Sequence, residues 1–170
     1  MPSRPQTPLS TPLELLTARK LTLAPDFSVR DAAFFYANLG IPIFPITKGC
    51  KAPPLVRWSL YATDELEVVQ QWWQRWPQAN IGAPTGKWCD VIDVEGEFVG
   101  QFTDQYGEIP RSYLVVSTPS QGVHIYLRPE GHRRSSSKMR SGIGDLKGVG
   151  GYVLLPPSQV GHRYYTFRVS

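Results

Sequence analysis

The sequence predicts an α+β fold with a substantially antiparallel sheet, on three observations. Short β-rich segments with alternating apolar and polar residues recur through the second half of the chain. Two capped helical segments occupy the first half. Strands and helices follow one another without the regular βαβ rhythm of a parallel sheet. The chain has 170 residues, enough for one domain with a real core, and its 41% apolar and 12% aromatic content is that of a globular protein.

Taken in order, residues 1–27 are rich in proline and scattered polar residues. They read as a mobile N-terminal extension with a short helical piece around Leu13–Lys20. Residues 28–170 form the domain. Ser28-Val29-Arg30-Asp31 fits a capping box, followed by helix to Leu39 and by Gly40 at the position after the helix end. Ile41–Ile46 reads as an edge strand, because Pro42 and Pro45 cannot donate to a central ladder.

A second helix is expected after Thr63 as its cap, with Asp64, Glu65 and Glu67 at the positive end and Pro77 as the stop. Leu66, Val69, Trp73 and Trp76 fall on one apolar face of it. The tryptophans therefore read as core rather than as a base-stacking platform. The remaining elements are strands at Val91–Glu95, Tyr113–Ser117, Val123–Arg128, Tyr152–Leu155 and Tyr164–Val169, with a Gly-rich turn around Asp145.

Several function classes recede on composition. Two distant cysteines, Cys50 and Cys89, make neither a disulfide framework nor a zinc knuckle, and Cys89 reads as a buried free thiol. No apolar run approaches the roughly 20 residues of a membrane span. The N-terminus lacks the apolar stretch of a secretory signal, so a cytoplasmic protein is the expectation. A net charge of +4 suits an anionic partner without demanding one.

Three segments carry the chemistry. On a strand, Asp93 and Glu95 share a face, roughly 6.5–7 Å apart along the chain by the rise per residue. Two carboxylates so close repel unless a cation lies between them, and Mg²⁺ or Mn²⁺ prefers such oxygen ligands while leaving positions for phosphates. In Val123–Arg128, His124 alternates with the apolar positions and is expected to face away from the core, after a turn that supplies Ser120. Asp145 lies between glycine-rich flanks with Lys147 two residues on; a third carboxylate completes a two-metal arrangement. Between residues 128 and 147 fall six of the 18 basic residues (Arg128, Arg133, Arg134, Lys138, Arg140 and Lys147), a density that suggests phosphate or strand contacts.

In order, these segments resemble the bifunctional primase–polymerase (Prim-Pol) domains of the archaeo-eukaryotic primase superfamily, common on plasmids, phages and other mobile elements. The likeness runs from about Ala32 to Phe167. It takes in Gly40–Pro45, Lys51 with Pro53/Pro54 and Trp58, Trp72-Trp73 with Pro77, and Ala79–Gly86. It continues through Asp93-Val94-Glu95, Ser117–Ser120 to His124, and Gly150–Val153 with Pro156-Pro157-Ser158.

The resemblance implies a primase-like fold: a small N-terminal α/β unit and an RRM-like, mostly antiparallel sheet that carries the site. It implies Asp93, Glu95 and Asp145 as catalytic metal ligands for Mg²⁺ or Mn²⁺, and His124, Ser120 and Lys147 as nucleotide-binding residues. Gln121 stands where the family usually has glycine, and Glu95 where aspartate is more frequent. The chain also stops just after the strand Tyr164–Val169, whereas such domains usually run on.

The function expected on this basis is a DNA primase/polymerase extending a primer on a single-stranded DNA template from NTPs or dNTPs, with a helicase in cis or in trans. A non-catalytic single-strand-binding module and a two-metal nuclease or phosphohydrolase are the alternatives from other classes.

Overall fold

The computed structural model describes residues 10–20, 26–130 and 134–168. Helices are α1 (Pro12–Arg19), α2 (Val29–Asn38), α3 (Trp58–Tyr61), α4 (Leu66–Arg75) and α5 (Val99–Tyr106). Strands are β1 (Phe44–Ile46), β2 (Asn80–Pro84), β3 (Asp90–Val94), β4 (Leu114–Ser117), β5 (Val123–Leu127), β6 (Ser137–Lys138), β7 (Asp145–Lys147), β8 (Tyr152–Leu155), β9 (Gln159–Val160), β10 (Arg163–Tyr164) and β11 (Thr166–Phe167). All named strand pairs are antiparallel, so the α+β expectation holds.

The strands form a small sheet in the order β1-β2-β8, a larger one in the order β11-β4-β5-β3-β7-β6, and a β9–β10 ribbon. β1 lies at an edge, as its prolines require. Helices α2 and α4 pack on one another and on the small sheet, burying Ala33, Tyr36, Val69 and Trp73 with Phe44, Ile46 and Ile81. Within the stretch read as an extension, Thr11 caps α1 through a reciprocal capping box with Glu14, and Leu13 and Leu16 are buried in the main core. This helical part is packed rather than detached.

Other local expectations shift by identifiable causes. The side chain of Ser28 accepts from the Asp31 amide, but the reciprocal half of a capping box is absent. Glu65 rather than Thr63 is the residue before α4; Thr63 Oγ1 instead accepts from the Glu65 amide at 3.1 Å. Leu66 is exposed, while Trp73 is fully buried and donates from Nε1 to the Ala79 carbonyl at 3.1 Å. The last strand is two short ones, β10 and β11, broken at the inward-facing Tyr165; Val169 lies outside the described residues. Asp145 is in strand β7, not a turn, because its backbone pairs with β3.

The largest correction concerns the faces of the main sheet. Val94, Val115, Val123, Ile125 and Ile143 form a second cluster under Phe102 of α5, a helix that has no side-chain cap to announce it and was not among the expected elements. The opposite face, which carries Val91, Leu114, Val116 and Tyr126, faces the main core. His124 belongs to that face and is 5% exposed, so it does not point to solvent as its alternation suggested.

Trp73 is among the largest fully buried side chains of the main core. Trp73→Ala is expected to lower stability by about 3–5 kcal/mol, read as a fall in the urea midpoint at unchanged slope.

Candidate functional site

β3 runs through the middle of the six-stranded sheet. Asp93 lies opposite His124 of β5 on one side and opposite Asp145 of β7 on the other. Directly opposed residues of an antiparallel ladder share a face, so the register alone gathers an imidazole and two carboxylates into one row. Lys147 shares that face two residues beyond Asp145. Glu95 follows the strand with extended dihedrals (φ −64°, ψ 149°), which carry its side chain on in the direction of Asp93.

Ser120 arrives on the turn between β4 and β5. There the Thr118 amide donates to the Gly122 carbonyl at 3.0 Å, and Thr118 Oγ1 accepts from the Gly122 amide at 3.0 Å and lies 3.2 Å from Ser120 Oγ. The turn sits flush on the end of β3: a Cβ on Gly122 would collide with the Val94 carbonyl, and one on Gly96 with the Ser120 carbonyl. Gln121 holds φ +66°, the left-handed region that glycine occupies without strain.

All six residues singled out from the sequence line one pocket of about 500 Å³: Asp93, Glu95, Ser120, His124, Asp145 and Lys147. His124 Nε2 lies 3.4 Å from Asp93 Oδ1, and its buried Nδ1 has no hydrogen-bond partner among the described residues. The Lys147 ammonium is 3.9 Å from Asp93 Oδ2 and 3.8 Å from Asp145 Oδ2, bridging the two carboxylates. Burial pushes the Asp93 carboxyl up, but contact with His124, with the charges of His124, Lys147 and Lys51, outweighs burial and holds it below its usual range. For Tyr165, also in the wall, burial first and the Asp93 charge second push the phenol far up, so it stays neutral.

The rest of the described basic stretch does not line the pocket. Arg128 pairs with Glu14, and Arg134 pairs with the buried Asp90 at 3.2 Å. Lys138 and Arg140 are exposed elsewhere, and Arg133 lies outside the described residues. Conversely, Thr118, Ser136, Tyr152 and Tyr165 line the pocket without having been singled out as site residues. Thr118 lies inside the motif that yielded Ser120, whereas Tyr165 carries no local signal at all.

A family model described as bifunctional DNA primase/polymerase, N-terminal, matches residues 33–170. The chain belongs to the Prim-Pol family. No curated protein shows a significant match to it.

Primase/polymerase families typically use divalent metals, and the donor chemistry of this pocket fits one. Its acidic residues offer only oxygen, the preference of Mg²⁺ and Mn²⁺. The Lys147 ammonium already stands between Asp93 and Asp145, so the field there calls for a cation. Among the described residues no three acidic, histidine or cysteine side chains converge into a metal-holding group. No helix among them is long and apolar enough to cross a membrane.

Two outcomes are expected. Because the folded-state pKa of Asp93 is depressed from 3.8, its stabilising contribution is complete above about pH 5 and is lost as pH falls through the depressed value. Urea midpoints of wild type and Asp93→Asn should therefore begin to converge below about pH 5 and go on converging as pH falls through the depressed value; parallel curves would mean an ordinary carboxylate. Gln121→Gly should raise stability by about 0.5–1 kcal/mol by relieving the left-handed backbone, as read from the same denaturation.

Proposed function

We propose that this Prim-Pol domain is a DNA-dependent primase–polymerase that joins an incoming nucleotide to a primer 3′-hydroxyl on a single-stranded DNA template. One observation carries the reading: the cross-strand row His124–Asp93–Asp145, in a pocket that also holds Glu95, Ser120 and Lys147. Three carboxylates beside two basic groups and a hydroxyl suit a substrate that is itself a cation–polyphosphate complex.

Asp93, Glu95 and Asp145 would hold the divalent cations. When bound, these ions supply charge neutralisation at the reacting phosphate and lower the pKa of the primer hydroxyl. The chain's own groups do the rest by electrostatics and position. His124 is fixed against Asp93 and donates to a phosphate oxygen, which keeps the triphosphate in line with the primer. Lys147, which stands between Asp93 and Asp145, would offer its ammonium to a phosphate oxygen. Ser120, exposed at the tip of its turn, donates a further hydrogen bond. No covalent intermediate is required, because the work is orientation and charge stabilisation. Template pairing selects the base, and NTPs or dNTPs are the substrates; a helicase in cis or in trans would expose the template in the replication of a plasmid, phage or other mobile element.

The test is extension of a labelled primer on a single-stranded template with Mg²⁺ or Mn²⁺. Wild-type protein should give metal-dependent products, and Asp93→Ala should lower the rate by at least about two orders of magnitude while still unfolding cooperatively in urea. Single-strand binding without extension by the wild type would make this a binding module, and cleaved ends without added nucleotide would make it a nuclease.

A further inference from the structure

The pocket has a second wall, contributed by the small sheet and the loop after β1. That loop brings Lys51 and Ala52 to the rim, beside Trp58 and Tyr152. It is closed on itself: the Thr47 amide and Oγ1 both donate to the Pro53 carbonyl, at 3.1 and 2.9 Å, and the Cys50 amide donates to the Thr47 carbonyl at 3.1 Å. It is also pinned from outside. Asn80 Nδ2 donates to the Cys50 carbonyl at 2.9 Å, and Tyr152 Oη donates to the Lys51 carbonyl at 3.3 Å. Tyr152 is itself fixed edge-on against Phe44 and Trp58, each with ring centroids 5.3 Å away. The backbone of Lys51 is therefore set before any ligand arrives, and only side-chain freedom remains to be lost on binding.

The charges in the pocket separate the two lysines that line it. Lys147 is already neutralised by Asp93 and Asp145. Lys51 is exposed and forms no ion pair among the described residues. It lines the same pocket as Asp93, Glu95 and Asp145. Ala52, Trp58 and Tyr152 bring no charge, so Lys51 is the cation that this wall offers. Three carboxylates against two lysines leave the pocket formally negative, and a polyphosphate entering it needs the unspent ammonium most.

We propose that Lys51 is a phosphate ligand for the incoming nucleoside triphosphate, reaching it from the small-sheet wall while His124 and Lys147 reach it from the large sheet. This rests on the polymerase reading and extends it: the nucleotide site is built by both sheets, and the loop after β1 belongs to it.

The test uses the full chain as wild type, Lys51→Ala and Lys51→Arg. Binding of a fluorescent dNTP in the presence of Mn²⁺, steady-state primer extension and affinity for a labelled single strand are measured in parallel. Lys51→Ala should raise the nucleotide Kd and KM about tenfold, the loss of one charged hydrogen bond, with a smaller effect on kcat and an unchanged single-strand Kd. Lys51→Arg should recover most of the nucleotide affinity. Equal nucleotide Kd in wild type and Lys51→Ala overturns the inference while leaving the polymerase reading standing. A loss of single-strand affinity in place of nucleotide affinity also overturns it, since Lys51 would then contact the phosphates of the strand. A wild type that neither binds nor incorporates nucleotide removes the polymerase reading and this inference together.

Discussion

The register of β3 between β5 and β7 is the constraint on which the rest of this structure depends. It sets Asp93 opposite His124 and Asp145 at once. A slip of one residue would turn Asp93 into the apolar layer beneath α5 and bring Val94 to the pocket, because strand side chains alternate between faces. The register is fixed by burial on both sides. Val94 belongs to the cluster with Phe102, Val123 and Ile125, whereas Val91 belongs to the main core with Leu114 and Tyr126. Each slipped arrangement would bury a carboxylate and expose valine, which hydrophobic burial opposes on both faces. The position of the charged row is thus decided by apolar residues that take no part in the chemistry.

Holding a carboxylate in such a place requires compensation. Asp93 has one side chain on each flank to answer it, His124 Nε2 at 3.4 Å and Lys147 Nζ at 3.9 Å. Asp90, three residues earlier on the same strand and 1% exposed, is answered by a single guanidinium, that of Arg134. The two pairs differ in kind. Asp90 and Arg134 tie the start of β3 to the chain beyond β5 and lie outside the pocket. Asp93 and Lys147, by contrast, line the open pocket.

The pocket owes its depth to the meeting of two sheets. β7 leads within a few residues to β8, but β7 belongs to the large sheet and β8 to the small one, where Tyr152 pairs with Pro84 of β2. The chain therefore crosses between sheets beside the acidic row, and Gly150 and Gly151 line the pocket at the crossing. The Thr85 hydroxyl donates to the Gly148 carbonyl at 2.6 Å and ties the end of β2 to this crossing. The small unit is thus a wall of the site as well as a support for it.

Much of the site was legible in the sequence because its residues obey local rules. Asp93 and Glu95 share a face by strand periodicity, and the turn from Ser117 to Gly122 announces itself by composition. Asp145 and Lys147 stood out in a Gly-rich stretch, and the family resemblance implied their roles. Helix α4 was legible for the same reason, since Val69 and Trp73 recur at helical spacing. What the sequence could not decide is which face of an alternating strand meets a second apolar layer. Val123 and Ile125 meet α5 on one face, while the other face meets the main core, and that turned His124 from an expected surface residue into a buried one. Nor could the sequence bring Lys51 and Tyr165 to Asp93. Strand pairing and sheet packing act between residues far apart in the chain, and local pattern holds no record of which segments will meet.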